Sequence, residues 1–558
     1  MFSKRCNELL LLFGVYILQC SALLKNQTLV AVLKANGSIS IQPKLYIAKP
    51  NETIAGRAKY IHSINETGWS FLEIRTSPKA KDPDQAYAAG FLEGVLTADL
   101  IYYHWRNNMK DNNCVKDPQM CPKLTEHITN NKEWIESSLN ASDPYWYQVG
   151  LYLKQLDGLH DGYMHGKSKD TPSLSLNDIY LLNAMDDISD LISALEPTQA
   201  KLKVLGSGSC SALVKLLPGN KDLLVSHVTW SGYESMLRIQ KRYNLRYRTS
   251  SISKNLIPGF DMSFSSFPGG IQSGDDYYLI SSGLVTMETT IGNYNNSLWS
   301  NIRPIGQVLE FVRAMVANRL AYGPADWVKI FKRYNSGTYN NQWMIINYFA
   351  FKSGGPTPSH DLLHILEQLP GYVESDDLTE HLINRTYWAS YNVPSFPFIF
   401  NVSGNYDMQL RYGDWFSYKN TPRARIFARD HVKIHCDKCM LHVMRSNDYK
   451  HDPESACDCN PPYSAENAIS ARCDLNPANG TYPFAALGHR SHGSTDVKIT
   501  TSQLFQNLQF KAIAGPTQGT NNTLGPFCWS KSDFSHSVPH EGHPDCFDFS
   551  PITHQWSL

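Results

Sequence analysis

The chain has 558 residues, 42% hydrophobic and 18% charged, with 51 Lys plus Arg against 51 Asp plus Glu. This is ordinary globular material, long enough for one large or two medium cores. The balanced charge offers no basic footprint for a polyanion, so nucleic acid is excluded as the expected partner.

The first residues, MFSKRCNELLLLFGVYILQCSA, join a basic start, an apolar stretch from Leu9 to Leu18 and small residues at Cys20 to Ala22. They read as a secretory signal peptide over 1–22, too short for a membrane span, and no later run reaches the ~18 apolar residues a transmembrane helix needs. The mature chain is therefore expected to be soluble and either secreted or in the lysosomal lumen. N-x-S/T sequons at Asn26, Asn36, Asn51, Asn65, Asn140, Asn295, Asn384, Asn401, Asn479 and Asn521 point to the same compartment.

Short alternating runs between residues 30 and 74, such as Leu45-Tyr46-Ile47-Ala48 and the segment 69–74, predict strands. Helical spacing covers 84–107, then 145–159 behind the cap-like Ser142-Asp143-Pro144, then 176–195. EPTQAKLKVLGSGS over 196–209 is a polar, small-residue linker open to proteolysis. Beyond it, 233–243 and 306–321 predict helices, while 343–349 and 396–402 predict strands. Strand sets interleaved with helical sets suit two sheets between helices.

Cys210 ends the linker and opens the apolar run CSALVKLL. A cut before it would expose an amino-terminal cysteine whose thiol is a nucleophile and whose α-amine, with a reference pKa of ~7.7 to 8.0, is a base. The run CSALVKLL, the turn residues PGNK and the run DLLVSHVTW form a hairpin pattern. With Pro218 and Gly219 central, Cys210 faces His227; with Gly219 and Asn220 central, it faces Thr229. Both registers put Cys210, His227 and Thr229 on one face. A three-residue loop would instead bring Val228 opposite Cys210.

The segment GSGSCSALVKLLPGNKDLLVSHVTWSGYESMLRIQKRY resembles the phospholipase B-like (lamina-ancestor-like) family of N-terminal nucleophile hydrolases. So do AYAAGFLEGVLTADLIYYHW, SSGLVTMETTIGNYN, YNNQWMIINYFAFK, ASYNVPSFPFIFNVSG, TPRARIFARDH and HGSTDVKIT, from about residue 51 to the C-terminus. The resemblance implies an α+β chain with a four-layer αββα sandwich. It implies autocatalytic cleavage between Ser209 and Cys210 into fragments 23–209 and 210–558, which together make one catalytic domain. The apolar helix faces of the first fragment need a partner, expected to be the sheet that begins at Cys210, so the fragments should stay associated. Residues carried over from the motifs are His227 and Trp230 at the nucleophile, Asn392 on the oxyanion side, Thr289 as a hydroxyl partner and Arg423 as a grip for an anionic group. Plainer readings stand beside them: a satisfied strand histidine, hairpin-end packing for Trp230, a turn residue before Pro394, Thr290 in place of Thr289, and Arg425 in place of Arg423.

Ten cysteines follow Ala22, and setting aside Cys210 leaves nine, so one further thiol is free or pairs elsewhere. The resemblance implies bridges Cys114–Cys121 and Cys436–Cys439; Cys457, Cys459, Cys473, Cys528 and Cys546 are unassigned. A zinc cluster at His435, Cys436, Cys439, Cys457 and Cys459 is disfavoured by an oxidising compartment. G-x-S-x-G, H-E-x-x-H and a nucleotide-type G-x-G-x-x-G context are absent, and no metal or cofactor is implied. Two functions follow. The first is a hydrolase that deacylates glycerophospholipids or a related N-acyl amide. The second is a self-cleaved glycoprotein that chiefly binds lipids or a partner.

Overall fold

The computed structural model describes residues 26–109, 120–196 and 204–558. The signal-like segment 1–22, Cys114 with its expected bridge to Cys121, and linker residues 197–203 lie outside the described residues.

The chain is mixed α and β, built on an eleven-stranded and a seven-stranded sheet. In the larger sheet every neighbour is antiparallel except one: Trp69–Thr76 lies parallel to Arg238–Asn244, paired from Trp69 with Arg238 to Arg75 with Asn244. That ladder joins the chain before Cys210 to the chain after it. The smaller sheet runs in the order Tyr387–Ser390, Cys210–Leu216, Leu223–Gly232, Asp496–Thr500, Lys511–Ala514 and Ile552–Thr553. His492–Ser494 pairs with the end of Leu223–Gly232.

Three apolar cores stack through the molecule. Helices Asp82–Asn108 and Pro144–Gly166 cover one face of the larger sheet, meeting Ile239, Tyr243, Met262 and Tyr278. The other face, with Tyr277, Leu279, Val285 and Met344, shares a core with Ala212, Val214, Leu223 and Val225 of the smaller sheet. Leu213, Val228, Val497 and Ile499, on the far side of that smaller sheet, are covered by helices Pro422–Asp430 and Asp437–Met444. The amino-terminal helices thus pack on the larger sheet and not, as expected, on the sheet that begins at Cys210. The two long helices approach so closely that a Cβ at Gly90 would sit 1.9 Å from the Gln155 carbonyl oxygen and one at Gly158 2.0 Å from that of Tyr87.

The helix at 145–159 begins as its cap signal predicts: Asp143 accepts from the Tyr145 N–H at 2.8 Å and Pro144 takes the first turn. The span 176–195 is two helices, Leu176–Asn183 and Met185–Leu195, because Asn183 bonds outward to Ile271 N and Gly269 O. The helix expected over 306–321 begins at Glu310, and the strand at 343–349 runs Asn341–Asn347. Three expectations fail. Residues 233–243 form a short 3-10 turn and the strand Arg238–Asn244; buried Arg238 and Lys241 sit in ion pairs, which hides the strand period. Residues 397–402 form the helix Pro397–Val402, with Pro397 in the first turn. Leu45-Tyr46-Ile47-Ala48 is no strand, and Leu45 and Ile47 are 87% and 86% exposed.

Cys436 and Cys439 are bridged, so they are not free zinc ligands. Cys457–Cys459 and Cys528–Cys546 are also bridged, which leaves Cys210 and Cys473 as the free thiols among the described residues. Nine of the ten sequon asparagines are exposed, while Asn295 is half-buried and donates to Val402 O at 2.9 Å. No helix among the described residues is long and apolar enough to cross a membrane.

Candidate active site

The hairpin takes the second of the two registers: Cys210 lies opposite Thr229, and Ala212 opposite His227. The last paired residues are Leu216 and Leu223, and the loop between them turns over Pro218 and Gly219, with Asn220 N–H donating to Leu217 O at 3.0 Å and Gly219 and Asn220 at positive φ, 69° and 52°. Cys210, His227 and Thr229 accordingly share one face.

The peptide before Cys210 is held on every side. The Trp230 backbone N–H donates to the Ser209 carbonyl oxygen at 2.5 Å. The Asn392 side-chain oxygen accepts from the N–H of Ser209 at 3.1 Å and of Cys210 at 3.4 Å, while its Nδ2 donates to Thr290 O at 2.7 Å. Asn392 adopts φ 69°, which asparagine tolerates better than most residues. Its turn geometry and its site contacts therefore coexist. The donor on the Ser209 carbonyl is Trp230 N–H, and in this state Asn392 presents an acceptor. Thr289 Oγ1 accepts from Asn392 N at 3.4 Å and lies 2.6 Å from Ser390 Oγ, so both threonines support Asn392, one by hydroxyl and one by carbonyl.

Arg423 is buried, donates to the Cys210 carbonyl oxygen and to Ser211 Oγ, and lies 4.3 Å from the centre of the Trp230 ring. Arg425 instead reaches outward to Glu454 and Asp414. Trp230 is fixed through its indole N–H, which donates to Ile469 O at 3.2 Å. Burial lowers the Arg423 pKa to about 10, and the neighbouring Glu466 and Cys210 act to raise it.

One residue unnamed by the sequence reading faces the thiol. Cys210 Sγ, a His227 ring nitrogen and a Glu288 carboxylate oxygen all lie within 4.8 Å of one another. His227 Nε2 is 2.9 Å from the Glu288 backbone carbonyl, which makes Nε2 the protonated nitrogen, and Nδ1 is 3.5 Å from Thr229 Oγ1. Glu288 Oε1 accepts from the Tyr339 hydroxyl at 3.0 Å, and Oε2 is buried with no hydrogen-bond partner. Burial first, then Glu288, pushes the Cys210 thiol well above its ordinary range. Burial holds His227 neutral, with Lys498 adding to the effect. Burial also raises Glu288, helped by Asp186 and Asp275. A thiol so placed needs a proton acceptor before it can attack.

Behind this group lies a fully buried charge tetrad. Arg238 contacts Asp275 at 2.5 Å and Asp496 at 2.9 Å; Lys498 contacts both aspartates and donates to Thr229 Oγ1 at 2.6 Å. Two cations balance two anions, which makes the burial of all four tolerable. The sequence signals were single acidic residues in short strands that are buried nearly throughout, Glu288 in LVTMETT and Asp496 at the head of DVKIT. A cavity of about 580 Å³ opens beside Ser209, walled by Asp186, Tyr294, Trp299, Asn392 and Arg490.

The chain matches the profile of the Phospholipase B family over residues 56–554. It is 49% identical over 508 residues to a Mus musculus protein named "Putative phospholipase B-like 2", covering 89% of this chain and 84% of that one. A Caenorhabditis elegans protein named "Putative phospholipase B-like 1" is 44% identical over 505 residues, with 89% and 87% covered. "Phospholipase B-like protein B" of Dictyostelium discoideum is 35% identical over 518 residues, with 90% and 86% covered. The matched span takes in Cys210, His227, Thr289, Asn392 and Arg423 along with the whole smaller sheet and most of the larger, and the chain belongs to the Phospholipase B family.

Proposed function

We propose that this chain is a hydrolase of carboxylic ester or amide bonds, matured by cleavage at Ser209–Cys210 and acting through the amino-terminal Cys210. The single observation that carries the reading is the Trp230 N–H on the Ser209 carbonyl, one residue from a buried thiol. In the first stage Cys210 Sγ adds to the Ser209 carbonyl carbon, and Trp230 N–H stabilises the oxyanion. The C–N bond breaks, the Cys210 nitrogen leaves as an amine carrying a proton, and water splits the resulting thioester to a Ser209 carboxylate and a free thiol. The α-amine is still an amide at this stage, so the thiol proton must go to a side chain, and His227 and Glu288 are the groups that face it. In turnover the freed α-amine takes that part.

The relatives' names favour glycerophospholipid acyl groups as substrate, with a related N-acyl amide as the other branch. The stacked cores are compatible with the four-layer αββα sandwich of N-terminal nucleophile hydrolases. The signal-like start, the sequons and the bridges Cys436–Cys439, Cys457–Cys459 and Cys528–Cys546 support a glycosylated protein, secreted or in the lysosomal lumen. The rival reading is a self-cleaved glycoprotein that binds lipid or a partner with little catalysis. Turnover of lipid esters and N-acyl amides by matured protein, beside Cys210→Ala, separates the two: hydrolysis lost in the variant supports the enzyme, and no hydrolysis by either supports the rival.

A further inference from the structure

The segment just before Cys210 lies in a groove whose partners recognise peptide. Trp415 Nε1 donates to Gly206 O at 3.1 Å, and Arg490 donates to Ser207 Oγ at 3.1 Å. Gly208 N–H donates to Glu466 Oε1 at 3.3 Å, and Ser209 is held by Asn392 and by Trp230 N–H. Glu466 is fully buried and is paired with Arg490 at 3.1 Å. The groove is also narrow. A Cβ at Gly208 would lie 2.7 Å from the Trp230 ring and 3.0 Å from Arg423, and one at Gly206, where φ is 78°, would lie 2.7 Å from the Phe484 ring.

Thiol chemistry ties this groove to substrate. In maturation the acyl group that moves onto Cys210 Sγ is that of Ser209, with Gly208, Ser207 and Gly206 trailing behind it. In turnover a substrate acyl group is joined to the same sulfur, so its tail lies where that segment lay. We propose that the groove vacated by Gly206–Ser209 is the acyl subsite and that it takes a peptidyl group of small residues, making the preferred substrate a peptidyl amide. This rests on Cys210 being the nucleophile and selects the amide branch of the proposed function. A polymethylene chain there offers nothing to the Trp415 N–H, the Glu466 carboxylate or the Asn392 amide oxygen, and a site built to hydrogen-bond its substrate discriminates strongly against an analogue lacking those groups. The step balances: Sγ bonds to the acyl carbon, the C–N bond breaks, the amine leaves with the thiol proton relayed by the α-amine, and water returns acid and thiol.

The test uses full-length matured protein and two readouts. N-acetyl-Gly-Ser-Gly-Ser aminomethylcoumarin is compared with octanoyl aminomethylcoumarin and octanoyl glycerophosphocholine. Separately, the acid N-acetyl-Gly-Ser-Gly-Ser is compared with octanoate for its ability to slow alkylation of Cys210 by iodoacetamide. We expect kcat/KM for the peptidyl amide to exceed that of either octanoyl substrate by at least about 100-fold, and protection by the peptide acid alone. Trp415→Phe should raise KM for the peptidyl amide several-fold, more than it lowers kcat. Faster octanoyl turnover, protection by octanoate alone, or a Trp415→Phe KM equal to wild type overturns the proposal. If no substrate is cleaved, the hydrolase reading fails by itself, and protection of Cys210 by the peptide acid still supports the subsite while its absence refutes it.

Discussion

The Trp230 N–H and the Ser209 carbonyl oxygen meet at 2.5 Å, so the bond before Cys210 already sits against a donor placed for a developing oxyanion. A backbone donor survives any side-chain substitution at Trp230. Maturation should therefore depend on the thiol and its neighbours more than on the indole. Purified Cys210→Ala should remain uncut, Cys210→Ser should cut slowly, and amino-terminal sequencing of the wild type should find Cys210 heading the fragment 210–558. Equal cutting of wild type and Cys210→Ala in a protease-free preparation assigns the cut to another enzyme.

Arg423 supplies two things at once, a donor to the Cys210 carbonyl and a planar cation over Trp230. Lysine keeps the charge and loses the plane. Arg423→Lys should slow maturation by about tenfold, and Arg423→Met by about 100-fold, the scale of one to two charge-assisted hydrogen bonds at about 1.5–3 kcal/mol each. Gel quantitation of cut and uncut chain over time gives both rates, and a wild-type rate in Arg423→Met would remove the residue from the site.

The parallel ladder between Trp69–Thr76 and Arg238–Asn244 crosses the proposed cleavage point, as does the core beneath the amino-terminal helices. After cleavage the fragments should co-elute in non-reducing size exclusion and separate only in denaturant. Recovery of an active fragment 210–558 alone in dilute neutral buffer would make the first fragment a removable propeptide.

Stability should change with pH in a defined direction. Glu288, Glu310 and Asp276 are held above the ordinary carboxylate range, first by burial and then by neighbouring acids. Groups raised on folding give stability that is complete below their unfolded value of ~4 and is lost as pH climbs toward the folded value. His104 and His543, each pushed down to about 3 first by burial, and His492, also lowered first by burial, act oppositely and cost stability as pH falls below ~6.5. The two trends oppose each other between about pH 4 and 6.5, and only the carboxyl trend remains above. Urea midpoints should hold level from pH 4.5 to 6.5 and fall by pH 8. Glu310→Gln, away from the thiol, should flatten that fall, and a midpoint rising from pH 6.5 to 8 contradicts the assignment.

Much of the site could be read from sequence because strand alternation is strict. With CSALVKLL and DLLVSHVTW as a hairpin, either even register puts Cys210, His227 and Thr229 on one face, and the observed pairing of Cys210 with Thr229 is one of the two. Arg238 and Lys241 broke the apolar alternation of their strand, and their compensating partners, Asp275, Asp496 and Glu93, are 37, 258 and 148 residues away. No local window contains that information. Glu288 was passed over for the same reason: its importance comes from a thiol on another sheet. The helix Pro397–Val402 is not separable from a strand in sequence, because six residues are too few for the two periods to diverge.

The one parallel joint in the larger sheet also bears on what happens when the two halves are made apart. Without residues 26–76, the strand Arg238–Asn244 would lose its partner and become an open edge, with unpaired amide groups and the buried side chains of Ile239 and Tyr243 along it. Open apolar edges recruit other chains. A truncation starting at Cys210 should therefore fail by self-association rather than by simple unfolding, and the fragment that carries no nucleophile is the one that keeps its partner monodisperse.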